Sequence, residues 1–265
     1  MIQKILIFRN LIDNVPKNIG LYAIGVALLF ANHFSFEYVE IVIGLVAFLF
    51  SYSSIYVMND LFDIAEDMIS DEKVTRKPLA QGTVTKKEAL LLSIVLLTIG
   101  VSTASLINVI FFVVICMLVF MNSLYSIPPI RLKHTVLGLP LILIMQILKI
   151  MLPWTTSANL HQFPTLFVLS FSLLYLIIFI GYKQNKTIGG SIRDEPVALG
   201  VSILVLFASI LIYSNPILQG AIMAYLLVGI VHFRDLHLTD RNVIKRSPIY
   251  IFLGVLLLIY LIACF

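Results

Sequence analysis

The 265-residue chain is 60% hydrophobic and only 12% charged, with a formal net charge of +4. A soluble domain carries about 25% charged residues, so one water-soluble core is excluded and lipid must cover much of the apolar surface. The small positive excess flanks apolar stretches, which argues for membrane topology and anionic-lipid contact rather than nucleic-acid binding.

A membrane-spanning helix needs about 20 mostly apolar residues. Nine stretches fit, at 17–35, 38–58, 88–107, 108–126, 136–154, 163–182, 197–214, 216–233 and 248–264. Residues 1–20 are punctuated by Lys4, Arg9, Asp13 and Lys17, so no cleavable signal peptide is expected. Pro153, Pro164, Pro196, Pro216 and Pro248 fall near segment ends, where a missing N–H is tolerated. Cys116 and Cys264 lie inside apolar segments without disulfide or metal-site spacing.

The basic residues fix the orientation. They occur before the first segment (Lys4, Arg9, Lys17) and after the second (Lys73, Arg76, Lys77, Lys86, Lys87). They recur after the fourth (Arg131, Lys133), the sixth (Lys183, Lys186, Arg193) and the eighth (Arg234, Arg241, Lys245, Arg246). The other connections hold none. By the positive-inside rule the N-terminus and these loops are cytoplasmic, and Phe265 lies on the opposite side. The outer connections are short, with Glu37 and Glu40 as their only charges, so function is expected on the cytoplasmic side.

The second segment runs into Asn59-Asp60-Leu61-Phe62-Asp63-Ile64-Ala65-Glu66-Asp67. Spacings of three and four put Asp60, Asp63 and Asp67 on one helical face. Stacked anions repel unless a cation sits among them. A donor set of oxygens alone suits a hard cation such as Mg²⁺, which often bridges to phosphate oxygens, and Asn59 adds a neutral ligand or donor. The bland alternative is a solvated helix end whose acids pair with Arg76 and Lys77. Farther on, Arg76 and Lys77 are suited to gripping phosphate, one as a fork and one as a point charge. Ordinary positive-inside decoration is the alternative, and it fits Lys86 and Lys87 better. Pro78 and Gly82 set the turn into the third segment.

Tyr52, Tyr56 and Tyr125 lie near the cytoplasmic ends of their segments and are suited to contact with a cation or a phosphate, or to an interfacial tyrosine belt. Lys149 lies mid-span in the fifth segment. An intramembrane cation is expensive unless it faces a polar cavity, so a functional role is expected, with snorkelling as the alternative. His134, His232 and His237 read as interfacial polar residues near cytoplasmic loops, and Trp154 as an outer interface anchor.

The run Asn59-Asp60-x-x-Asp63-x-x-x-Asp67, followed by Arg76-Lys77-Pro78-Leu79-Ala80-Gln81-Gly82, resembles the first aspartate-rich motif and basic loop of the UbiA superfamily of intramembrane prenyltransferases. Asn14-Val15-Pro16-Lys17-Asn18 resembles that family's segment before its first helix. Tyr125-Ser126-Ile127-Pro128-Pro129-Ile130-Arg131-Leu132-Lys133 resembles its turn after the fourth helix. The resemblance implies an all-α polytopic membrane protein, one domain over residues 1–265, with nine transmembrane helices around a central cavity open to lipid. It implies a transferase in which Mg²⁺ at Asn59, Asp60, Asp63 and Asp67 holds a polyisoprenyl diphosphate. Pyrophosphate is displaced and the prenyl group passes to an acceptor.

The chain also departs from that pattern. After the sixth segment the family's second Asp-x-x-x-Asp is replaced, with Lys183 and Thr187 in the aspartate places and Asp194 and Glu195 arriving late. A lysine there is expected to touch phosphate directly in place of a second carboxylate-held ion. Lys183 and Lys149 together resemble the polyprenyl-phosphate phosphoribosyltransferase branch, and Asp235-Leu236-His237-Leu238-Thr239-Asp240-Arg241 resembles its last cytoplasmic loop. That branch's His-Pro is replaced by Ser70-Asp71. The candidate catalytic residues are therefore Asp60, Asp63, Asp67 and Lys183. The candidate substrate-binding residues are Asn59, Tyr56, Arg76, Lys77, Tyr125, Arg131, Lys133 and Lys149, with Lys183.

Three enzymatic readings follow: prenyl transfer, phosphoribosyl transfer from phosphoribosyl pyrophosphate to a polyprenyl phosphate, and terpene cyclisation. A transporter should show paired broken helices in two repeats, and no internal repeat is visible.

Overall fold

The computed structural model describes residues 7–31, 37–69, 74–75, 77–135, 137–157 and individual positions between 163 and 176. The sixth to ninth apolar segments lie wholly or mostly outside the described residues.

Every regular element described is helical. Helix α1 spans Ile7–Ala31, α2 Tyr38–Phe62, α3 Ile64–Asp67, α4 Lys86–Ser105, α5 Val109–Ser126 and α6 Gly138–Met151, which tightens into a 3-10 segment at Leu152–Thr156. Four of these stretches are long and apolar enough to cross a membrane: Tyr38–Phe62, Lys86–Ser105, Val109–Ser126 and Gly138–Thr156. They coincide with the second to fifth apolar segments of the sequence. Apolar side chains such as Val42, Leu91, Val113 and Phe120 remain on the outside of the bundle, as a lipid-covered surface requires.

Two helices run past their expected limits. Helix α1 starts at Ile7 and includes Pro16 rather than beginning at 17. Its backbone bonds are satisfied internally, so polar residues need not end it where the apolar run stops. Helix α2 continues to Phe62, so Asn59 and Asp60 are in its last turn. The ladder bends at Asp63 (φ −95°, ψ 3°), but Asp63 N–H donates to Asn59 O at 2.9 Å and Asp67 N–H to Asp63 O at 2.8 Å. The helical phase therefore survives into α3.

Small residues let α2 and α4 approach closely. A methyl group at Gly100 would meet Ser51 Oγ at 2.2 Å and Ala47 O at 2.9 Å. The Ser54 and Ser93 hydroxyls bond at 2.9 Å across this seam, a contact worth about 0.6 kcal/mol between membrane helices. Thr85 begins α4 with a capping box: its hydroxyl accepts from Glu88 N–H at 3.2 Å, and Glu88 Oε2 accepts from Thr85 N–H at 3.0 Å. The chain reaches that cap through Gly82, whose φ of +72° is a left-handed conformation that favours glycine.

The core lies where α2, α5 and α6 meet, with Phe48, Phe111, Ile115, Leu118 and Met145 buried. Trp154 corrects an expectation. It is fully buried and packs edge-on to Phe163 at 5.4 Å, because the 3-10 segment turns it into the bundle against α1 rather than toward lipid. The close approach of α1 and α6 needs Gly25, where a methyl group would lie 2.2 Å from Ile150 O.

Candidate active site

The acidic run divides into two neighbouring sets. Asp60 and Asp67 are seven residues apart, close to two full turns, and both reach Lys77. Its Nζ is 2.7 Å from Asp60 Oδ1 and 2.6 Å from Asp67 Oδ2. Asp67 is buried. Burial pushes the Lys77 ammonium toward neutrality, but Asp60 and Asp67 outweigh it and hold its pKa above the ordinary lysine value.

Asp63 and Glu66, one turn apart, face the segment after α5. Arg131 Nη2 lies 2.7 Å from Asp63 Oδ1 and 2.5 Å from Glu66 Oε1. Lys133 Nζ lies 2.5 Å from Asp63 Oδ1 and 2.9 Å from Glu66 Oε2. His134 Nε2 reaches Glu66 Oε1 at 3.3 Å. Burial raises the Glu66 pKa, but Lys133, Arg131 and His134 prevail and leave it below the ordinary value. Arg131 adopts a left-handed backbone (φ 36°), which a non-glycine residue seldom takes without a surrounding that holds it there. The clamp on Asp63 and Glu66 supplies such a surrounding.

Beneath the acids, α2 presents Phe48, Tyr52 and Tyr56 at four-residue spacing. Their ring centroids are 5.5 and 5.2 Å apart, and the same spacing continues to Asp60. Asn18 of α1 donates to Tyr56 OH at 3.3 Å. A polar connection also descends from the acids. Asn59 Nδ2 donates to Asn122 Oδ1 at 3.5 Å, Asn122 Nδ2 donates to Tyr52 OH at 3.0 Å, and Lys149 Nζ sits 4.0 Å from the Tyr52 ring centroid. Lys149 is buried, with 2% of its surface exposed, so it is enclosed by the bundle rather than snorkelling.

The structure thus brings together Asn59, Asp60, Asp63, Asp67, Lys77, Arg131 and Lys133, and places Tyr56 and Lys149 on the strips that lead inward from them. Tyr125 is partly buried at the end of α5, against the core. Arg76 and Lys183 lie outside the described residues. Sequence reasoning did not single out Glu66, Asn122 or Gln146. The signal for the last two was available: each is a polar side chain in an otherwise apolar span.

The donor set fits a hard cation in part. Carboxylate oxygens of Asp60 and Asp67 already converge on one positive atom, the Lys77 ammonium. The Asn59 carbonyl oxygen is not consumed by the bond its amide donates. Among the described residues, no three acidic, His or Cys side chains are already gathered as a metal cage. Four carboxylates meet three permanent cations here, so the protein's own side chains occupy positions that an incoming ion would contest.

The UbiA prenyltransferase family model matches residues 20–242. The chain belongs to the UbiA prenyltransferase family. Family members are transferases of the membrane, and the apolar helices described here fit that setting. Among solved structures, the chain is similar to a UbiA homolog from Archaeoglobus fulgidus bound to GPP and Mg²⁺. The TM-score is 0.70 at 16% identity, over 99% of this chain and 100% of that one. The same homolog bound to DMAPP and Mg²⁺ gives 0.69 at 16%, over 98% of each chain. A structure described as a digeranylgeranylglyceryl phosphate synthase gives 0.67 at 16%, over 99% of each. At this identity the likeness establishes the UbiA fold alone. A search of the curated proteins finds no match.

Proposed function

We propose that this chain is a single-domain, Mg²⁺-dependent intramembrane prenyltransferase. It binds a polyisoprenyl diphosphate at Asn59, Asp60, Asp63 and Asp67 and passes the prenyl group to an acceptor. The observation that carries this reading is the meeting of Asp60 and Asp67 at one cationic atom, directly above an aromatic strip leading into an apolar bundle. The similar Archaeoglobus fulgidus homolog, seen with GPP or DMAPP and Mg²⁺, supports it.

When bound, Mg²⁺ neutralises charge that develops on the departing diphosphate. The rest is done by side chains. Asp60, Asp63 and Asp67 supply the oxygens. Lys77, Arg131 and Lys133 exchange carboxylate partners for diphosphate oxygens, and Arg76 and Lys183 add further contacts to the same group. Tyr56 and Tyr125 border the mouth, and the apolar bundle keeps water from an allylic centre. The mouth faces the cytoplasm, as the basic loops require, with the C-terminus on the other side.

One observation favours a second reading, phosphoribosyl transfer to a polyprenyl phosphate. The buried Lys149 puts positive charge where an anionic acceptor suits better than a neutral one. Label-transfer assays in membranes containing the full chain separate the two. Label moving from a prenyl diphosphate into a lipid product, dependent on Mg²⁺ and lost in Asp60→Asn, supports prenyl transfer. Label moving from phosphoribosyl pyrophosphate into lipid overturns it in favour of the second reading.

A further inference from the structure

Glu66 stands beside the proposed ligand set but outside it, and two cations of the turn after α5 grip it. Arg131 Nη2 meets Glu66 Oε1 at 2.5 Å, and Lys133 Nζ meets Glu66 Oε2 at 2.9 Å. Each oxygen takes one cation, which is how a phosphoryl group would bridge the same pair. Neither cation depends on Glu66 to stay in place. Both also meet Asp63, at the one oxygen Oδ1, at 2.7 and 2.5 Å. Glu66 is the acid that can leave with least penalty. Its side chain is 38% exposed, against 20% for Asp63 and 2% for Asp67, so water receives the freed carboxylate. Arg131 supplies an independent sign. A guanidinium grips an anion through two parallel N–H groups, and Nε with Nη2 forms one such fork. Here Nη2 is engaged, but Nε is buried without a hydrogen-bond partner among the described residues. A buried donor left so carries a penalty until an acceptor arrives.

We propose that Glu66 is a resident competitor of the diphosphate. It occupies the positions on Arg131 and Lys133 that the diphosphate takes, and it withdraws to solvent when the diphosphate arrives. Of the two carboxylates on these cations, Glu66 is the one exchanged, while Asp63 keeps them in register. An incoming phosphate oxygen also answers Arg131 Nε. After transfer, the returning carboxylate helps to displace pyrophosphate. This deepens the reading of Asp60, Asp63 and Asp67 as the donor site and rests on it.

The test uses the full chain in nanodiscs of neutral lipid. A non-reactive prenyl thiolodiphosphate, and inorganic pyrophosphate as its tail-free counterpart, are titrated calorimetrically with Mg²⁺. Glu66→Gln should bind each about fivefold tighter than the unmodified protein, the scale of releasing two partly exposed ion pairs. The gain should shrink at high salt and in a Lys133→Met background, where one contested cation is gone. Weaker binding by Glu66→Gln overturns the proposal, because Glu66 is then an anchor for Arg131 and Lys133. Unchanged binding overturns it too. A gain that persists in full in Lys133→Met also refutes it, as repulsion through space rather than competition for the cations. One readout needs no variant to fold: carbodiimide labelling of Glu66 in the unmodified protein, followed by mass spectrometry. Labelling should rise when the thiolodiphosphate binds, and unchanged or reduced labelling refutes the exchange. Failure of the donor-site reading is seen separately, as absence of Mg²⁺-dependent thiolodiphosphate binding by the unmodified protein, and takes this proposal with it.

Discussion

Asp60 and Asp67 are seven residues apart, and their carboxylates meet at one ammonium, 2.7 and 2.6 Å from Lys77 Nζ. The meeting depends on α2 keeping its phase across the bend at Asp63, where backbone bonds at 2.9 and 2.8 Å carry the ladder into α3. Without that continuity the second aspartate would face elsewhere. A break that preserves phase leaves the acids aligned while freeing Asp63 to reach Arg131 and Lys133.

Lys77 and a divalent ion compete for the same oxygens. Lys77→Met should therefore bind Mn²⁺ more tightly than the unmodified protein when no diphosphate is present, by about tenfold. Its turnover should fall, because a cation for the diphosphate has gone. Paramagnetic resonance titration of Mn²⁺ reads the first effect; weaker Mn²⁺ binding would refute the competition.

Neutralising either acid that Lys77 bridges should abolish most activity without unfolding the bundle. Asp60→Asn and Asp67→Asn are each expected to lower turnover by about 10²–10³, the loss typical of one preorganised electrostatic group. Thermal unfolding in detergent checks that the fold persists.

The α2–α4 seam has no room for a side chain at Gly100. Gly100→Ala should destabilise the protein by about 1–3 kcal/mol, since the new methyl meets Ser51 Oγ at 2.2 Å and its backbone N at 2.5 Å. Gly100→Val should be worse. An unchanged melting temperature in detergent for both would contradict the packing described.

Glu66 gives the clamp a pH dependence. Its folded pKa is below 4.5, so its contribution to stability is present above 4.5 and is lost as pH falls through the lower folded value. The Glu66 side chain is 38% exposed, so solvent screening keeps the effect small. Glu66→Gln should flatten the acid limb of the stability curve, measured by unfolding in detergent at descending pH, and should leave the neutral plateau nearly level.

Much of this arrangement was legible in the residues. Apolar length located α2, α4, α5 and α6. Three-and-four spacing predicted Asp60, Asp63 and Asp67 on one helical face; Asp60 and Asp67 do meet at Lys77, but the bend at Asp63 turns that carboxylate to Arg131 and Lys133 instead. Other features were not legible. For Lys77 the sequence offered both phosphate and the neighbouring acids, and for Arg131 and Lys133 substrate; in the protein as described the nearest anions of all three are its own carboxylates, and local pattern does not reveal which partner wins. Glu66 was hidden because its role depends on a turn more than sixty residues away. Within a span that is apolar all round, periodicity cannot say which face is inward, so Trp154 was read as an outer interface anchor; Asn122 and Gln146 were overlooked although a polar side chain in an apolar span is itself a signal. Lys149 was visible because a charge in such a span has no bland explanation that survives burial.

The central claim is that the acids of α2 and α3 hold a diphosphate through a divalent ion. Calorimetric titration of a non-reactive prenyl thiolodiphosphate into the full chain in nanodiscs tests it most directly. Binding should require Mg²⁺, vanish with chelator and be lost in Asp60→Asn and Asp67→Asn while both variants keep their melting temperature. Equal binding with and without Mg²⁺, or undiminished binding by the two variants, would contradict the account.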